Sequence, residues 1–231
     1  SWVLFIKNMM LFIGMFSMIF LISLIMGILS PDTSEGQRIQ FILFRFASNL
    51  FSMGLTLGSI RIVLDVIGGV ETKIENLFNS FQLLIPYIAG YLLYSLGLLI
   101  LFIPFSRLII SNDSGLRIIE SFLSGDIETV VQLMAYSINF KYLLLYFLPC
   151  FYMWIKIQFF PYLIISKELG PIEALKKSYD ITEGQSVNLI LFLSILVMIN
   201  LIGIIPLGLG LVFTIPFSLV ATGVMFTKLD N

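Results

Sequence analysis

Long apolar runs constrain this chain more than any other feature of its sequence. Residues 8–29, NMMLFIGMFSMIFLISLIMGIL, are 22 residues without a charge. A hydrocarbon core about 30 Å thick is crossed by about 20 helical residues at about 1.5 Å each, so this run predicts a membrane-spanning helix. A secretory signal has a shorter apolar region and a small-residue cleavage site, so we expect this span to be uncleaved.

Five further runs have the length and apolar character of spans. The composition agrees, because 58% of the residues are hydrophobic, only 12% are charged, and the mean hydropathy is +1.03, all far from the averages of soluble proteins. The sequence predicts an all-α integral membrane protein forming a single transmembrane domain over residues 1–231. The expected spans are about 5–29, 40–68, 81–105, 142–165, 187–204 and 208–227.

Two connecting segments carry an amphipathic helical pattern. In the first segment, about 115–140, apolar side chains recur at helical spacing opposite charges. This pattern predicts two short helices around Gly125 that lie on the membrane surface. The second segment, about 171–183, lies within GPIEALKKSYDITEGQ. Pro171 suits a first helical turn and Gly184 a helix end.

The second segment has a charged face that is a candidate contact for a partner or for lipid. Ile172, Leu175 and Tyr179 are expected to form its apolar side, which would rest on the cytoplasmic face of the membrane. The opposite side carries Glu173, Lys176, Lys177 and Asp180, spaced so that acid and base stand four residues apart. This matched spacing predicts a structural or docking helix and not a reactive site.

Charged residues inside the spans form a second candidate site. Such charges are costly in a bilayer and often mark functional positions. Arg61 and Asp65 are four residues apart and are expected to neutralise each other, whereas Arg45 and Lys156 lie near span ends and are expected to reach the interface. The candidate intramembrane polar site therefore comprises Arg45, Arg61, Asp65 and Lys156.

Several classes of function are disfavoured by the residues themselves. The chain has no histidine, the commonest general base and metal ligand, and Cys150 is the only cysteine, which we read as a small apolar packing residue. The 13 basic and 14 acidic residues create no basic field for nucleic acid. We therefore expect no catalytic, cofactor-binding or metal site and no nucleic-acid partner.

Lysine and arginine in the connecting segments indicate the orientation. With six spans and a cytoplasmic N-terminus, six basic residues lie inside and four lie outside, so both termini are expected in the cytoplasm. The inner residues are Lys7, Lys73, Lys167, Lys176, Lys177 and Lys228, and the outer ones are Arg38, Arg107, Arg117 and Lys141.

Three stretches together resemble a known family. They are GLTLGSIRIVLDVIGGVETKIENLFNSF, with its Asn76-Leu77-Phe78 ending, FPYLIISKELGPIEALKKSYDITEGQ, and LIGIIPLGLGLVFTIPF. Their order resembles bacterial multi-span proteins related to the membrane domain found beside glycerophosphodiester phosphodiesterases and to YciC-type inner-membrane proteins. The resemblance implies a six-helix protein of the bacterial cytoplasmic membrane, without the phosphodiesterase domain. Residues 111–140 replace the short turn usual in that family.

These expectations converge on a non-catalytic membrane protein. It would act as an accessory, lipid-interacting or complex-forming subunit in the cell envelope, with membrane lipids, other membrane proteins or a cytoplasmic partner at residues 171–183 as its contacts. The alternative is a membrane subunit of a solute or ion transporter.

Overall fold

The computed structural model describes residues 1–31, 38–109, 112–137 and 140–230, all of whose long elements are helices. The predicted all-α class is confirmed. Two short 3-10 helices, Ile74–Phe78 and Phe81–Leu83, precede the fourth α-helix. The α-helices are α1 Trp2–Lys7, α2 Met9–Ile28, α3 Arg38–Ile67, α4 Leu84–Ile109, α5 Asn112–Ser124, α6 Ile127–Ser137, α7 Phe140–Ile157, α8 Phe160–Lys167, α9 Pro171–Ile181, α10 Ser186–Ile204 and α11 Leu211–Asp230.

Six helical segments of the described chain are long and apolar enough to cross a membrane, as predicted. The fourth, Lys141–Lys167, is not one continuous helix, because a turn at Gln158 and Phe159 separates α7 from α8. Pro161 explains the break, since its ring lacks an N–H and would clash with the carbonyl four residues earlier in a continuous helix. The chain can therefore change direction before α8.

The chain divides into two compact units, residues 1–90 with 157–231 and residues 91–156. The single transmembrane domain expected from the sequence stays a prediction. In the first unit, α3 packs against α2, α8 and α11. Its core includes Phe12, Met15, Ile62, Val63 and Val220, all nearly inaccessible.

A tight hairpin joins α10 to α11, in agreement with the three residues left between the expected spans 187–204 and 208–227. Its turn contains Leu207 with φ 54° and Gly208 with φ 81°, and the second of these backbone conformations is the natural one for glycine. Gly203 and Gly210 allow the two helices to approach closely, since a Cβ on Gly210 would lie 2.7 Å from the Gly203 Cα. Asn200 Nδ2 then donates to Ser218 Oγ at 2.8 Å across the hairpin.

The second unit contains the amphipathic helices α5 and α6, on either side of Gly125. Asp126 caps α6 by accepting hydrogen bonds from the Thr129 hydroxyl and, at 3.0 Å, from the Thr129 amide N–H. These bonds hold the pKa of the Asp126 carboxyl below its ordinary value. Phe122, Leu123 and Ile127 are exposed, and the position of the helix pair on the membrane surface stays a prediction. Of the predicted segment 115–140, residues 138 and 139 lie outside the described residues, as do the side chains of Arg38 and Arg107 among the outer basic residues.

Candidate functional site

The clearest polar site in the first unit is an ion pair near the end of α3. Arg61 Nε lies 3.7 Å from Asp65 Oδ1, one helical turn away, which confirms the expected neutralisation. Arg61 Nη1 also donates to the carbonyl of Ile165 in α8 at 3.4 Å. The two side chains are 42% and 24% exposed, so the pair is accessible and not sealed in the core.

Two cavities open on this ion pair, and both are lined by Arg61 and Asp65. The first has a volume of about 440 Å³ and also includes Leu64, Val70, Ile165, Ser166, Lys167 and Glu168. The second has a volume of about 220 Å³ and also includes Asn76, Asn79, Ser80, Gln82 and Leu83. Every other side chain of the second cavity except Leu83 is a neutral hydrogen-bonding group.

Two glycines of α3 bring the polar segment 74–83 to this ion pair. A Cβ on Gly58 would lie only 1.8 Å from the backbone oxygen of Leu77, and a Cβ on Gly54 only 2.5 Å from the Phe81 ring. Because glycine has only a hydrogen in place of a Cβ, the 3-10 helices can pack directly against the backbone of α3. Gly58 and Arg61 are three residues apart, so this contact places the segment beside the guanidinium.

Lys167 completes the charged end of the first unit. Its Nζ bonds to Asp230 Oδ1 at 2.6 Å, which ties the end of α8 to the end of α11. A further cavity of about 730 Å³ is lined by Lys7, Val70, Glu71 and Lys73 among others. Because Val70 also borders the 440 Å³ cavity, Lys7, Lys73 and Lys167, three of the six basic residues that the sequence placed on the inner side, share one end of this unit.

The other two residues of the predicted intramembrane site have surroundings of their own. Arg45 precedes Arg61 by 16 residues on α3, about 24 Å along the helix, and its guanidinium lies 6.0 Å from the Phe41 ring centroid. Lys156 belongs to the second unit. Its side chain was expected to reach the interface, but it is 2% exposed and lies 5.7 Å from the Tyr152 ring centroid.

The helix predicted at 171–183 is present as α9, and it packs against α8 through a face of small residues. Its buried stripe is made of the small residues Ala174, Ser178 and Thr182, and the Phe159 amide donates to Ser178 Oγ at 3.2 Å. The helices therefore form an antiparallel hairpin in which α9 runs back along α8. The apolar side expected to rest on the membrane is not the face that packs on α8, since Ile172 is 68% exposed, and its contact with the membrane stays a prediction.

The charged face of α9 is fully available to solvent or to a partner. Glu173, Lys176, Lys177 and Asp180 are all exposed. The acid and base that stand four residues apart in α9 do not form ion pairs with one another within 4.0 Å. The surface alternates basic and acidic groups beside the exposed Ile172 and Tyr179.

Comparisons with protein-family models, curated proteins and solved structures find no match. The family resemblance therefore stays a prediction. Among residues that the structure describes, no three Cys, Asp or Glu side chains are grouped so that they could hold a metal ion.

Sequence reasoning found the ion pair but missed the polar side chains around it. Asn76, Asn79 and Ser80 lie between the expected spans 40–68 and 81–105, Gln82 lies at the start of the second of these, and none of the four was predicted as a site residue. The spacing of Gly54 and Gly58 was the signal that could have found them, because small residues four apart permit close backbone contact.

Proposed function

We propose that this chain is a non-catalytic integral membrane protein that acts as an accessory, complex-forming and lipid-interacting subunit of the cell envelope. The proposed location is the bacterial cytoplasmic membrane, with both termini in the cytoplasm. The observation that carries the proposal is the construction of α9, whose small-residue stripe is buried on α8 while its interleaved charges remain exposed and unpaired with one another.

This construction favours contact with a partner whose surface carries a complementary pattern of charges. A helix fixed by buried packing loses little freedom on binding, so its exposed groups are already organised for contact. Two lysines and two carboxylates on one face have no net charge, which favours recognition of a patterned protein surface over general attraction to anionic lipid. The exposed apolar faces of α5 and α6 supply the proposed lipid contact.

The test is direct extraction of the tagged protein from its own membrane into polymer-bounded discs, followed by mass spectrometry of copurifying proteins and lipids. We expect a stoichiometric protein partner that is lost from the Lys176→Glu/Lys177→Glu double variant. A matched control, Arg117→Glu/Lys141→Glu, makes the same charge change at exposed positions of the second unit and is expected to retain the partner. If the wild-type protein, the double variant and the control variant all copurify with the same proteins, docking at α9 is refuted.

The Arg61–Asp65 pair favours a second candidate, a membrane subunit of a solute or ion transporter. Charges within a span that open on cavities of about 220 and 440 Å³ are a common feature of transport pathways. This alternative predicts that solute or ion flux into proteoliposomes depends on Arg61 and not on Lys176 or Lys177.

A further inference from the structure

The Arg61–Asp65 pair leaves most of its binding capacity unused. A guanidinium has five N–H donors, and at 3.7 Å its contact with Asp65 is an ion pair longer than a hydrogen bond. Its hydrogen bond to the Ile165 carbonyl is itself long, at 3.4 Å. Within the described part of the chain, no hydrogen bond reaches the Asp65 carboxylate. Both charges can therefore accept a ligand without breaking a strong contact.

The charge balance of the site selects the kind of ligand. The pair is neutral, and the 220 Å³ cavity adds amide and hydroxyl groups from Asn76, Asn79, Ser80 and Gln82 but no further charge. An anion would meet Arg61 but be repelled by Asp65, and a cation would meet the reverse problem. A zwitterion satisfies both, with its anionic group on Arg61 and its ammonium on Asp65.

The donor geometry favours phosphate as the anionic group. Arginine presents two parallel N–H groups that match phosphate oxygens, and such charge-assisted bonds are the stronger class of hydrogen bond. A primary ammonium offers three donors, for the Asp65 carboxylate and for neighbouring amide oxygens. The matching ligand is an aminoalkyl phosphate group.

The depth of the pair indicates that a lipid supplies this group. The span Ile39–Ile67 has 29 residues and is about 43 Å long, whereas the hydrocarbon core is about 30 Å thick. Arg61 and Asp65 precede Ile67 by six and two residues, about 9 and 3 Å along the axis. The last turns of α3 therefore lie at the level of lipid headgroups.

We propose that Arg61 and Asp65 form a binding site for the headgroup of an aminophospholipid, with the phosphate on Arg61 and the primary ammonium on Asp65. This inference rests on the lipid-interacting part of the proposed function and is independent of a partner at α9. It gives the 220 Å³ cavity beside α3 a defined occupant.

The test compares three lipids that share the phosphate but differ beyond it. Purified protein is titrated with phosphatidylethanolamine, phosphatidylcholine or phosphatidylglycerol of identical acyl chains, and bound lipid is counted by native mass spectrometry. We expect phosphatidylethanolamine to bind about tenfold more tightly than the others, because only it donates N–H bonds to Asp65. Equal binding of the three lipids by the wild-type protein would overturn the proposal without any variant.

Variants then test which residue binds the ammonium of the headgroup and which binds its phosphate. Asp65→Asn, which preserves shape, should abolish the preference for phosphatidylethanolamine over phosphatidylcholine. Arg61→Gln should weaken the binding of both lipids. Arg45→Gln removes the same charge from the same helix about 24 Å away. It should change neither the lipid preference nor the binding of the two lipids. A preference that survives both Asp65→Asn and Arg61→Gln would place the lipid elsewhere and overturn the site.

Competition by a soluble headgroup analogue shows whether the site takes its ligand from the membrane or from solution. Free O-phosphoethanolamine should compete weakly with the lipid; if it binds as tightly as the lipid, the site still recognises the proposed group but takes it from solution. The partner assay separates the two proposals, because Asp65→Asn should leave α9 contacts intact and Lys176→Glu/Lys177→Glu should leave the lipid preference intact.

Discussion

At the scale of single residues, Gly58 is the position on which the candidate site most depends. A Cβ there would meet the backbone oxygen of Leu77, which cannot rotate away, so we expect Gly58→Ala to cost about 1–3 kcal/mol or more of stability. Gly54→Ala should cost less, because the Phe81 ring it meets can move. The apparent melting temperature of the detergent-solubilised protein, followed by size-exclusion chromatography, measures both.

The matched control is Gly27→Ala. Gly27 is also helical but has open space where its Cβ would be, and alanine favours a helix over glycine by about 1 kcal/mol. We expect its melting temperature to be unchanged or higher. If Gly58→Ala melts like Gly27→Ala, the close packing of the 3-10 segment on α3 is incorrect.

At the scale of elements, a buried hydrogen bond from Phe159 to Ser178 joins α9 to the start of α8. Ser178→Ala would leave the Phe159 N–H without its acceptor, at a cost of about 1–3 kcal/mol. Local opening of α9 should then rise about tenfold for each 1.4 kcal/mol lost. Trypsin cleavage after Lys176 and Lys177 reports this opening. The exposed control Glu173→Ala should keep the wild-type cleavage rate, and an unchanged rate in Ser178→Ala would show that the bond does not hold α9.

The same elements show what the sequence could and could not predict. Spans were predictable because their length and hydropathy are local properties, and Pro161 was a local sign that the fourth one breaks. The packing face of α9 was not predictable from hydrophobicity, because Ala174 and Ser178 are small and carry almost no apolar signal. The polar cavity depends on Gly54 and Gly58 admitting a distant segment, which is a tertiary property.

At the scale of the whole molecule, the decisive property is the orientation in the membrane. The excess of inner over outer basic residues is only six to four, a modest bias. Packing in the first unit adds support, because the cavity linings bring Lys7, Lys73 and Lys167 to one end. Residues that share an end of a membrane bundle share a side of the membrane, so their contributions to orientation add.

Single-cysteine labelling in intact cells tests this orientation in a Cys150→Ala background, since Cys150 is the only native thiol. We expect Glu128→Cys and Leu209→Cys to react with a membrane-impermeant maleimide from outside. Glu71→Cys and Glu183→Cys should react only after the membrane is permeabilised. All four positions are exposed on the protein surface, so packing against the protein does not block the reaction. The opposite pattern would move α9 and the Arg61–Asp65 site to the outer face, and would exclude a cytoplasmic partner while leaving the chemistry of the lipid site unchanged.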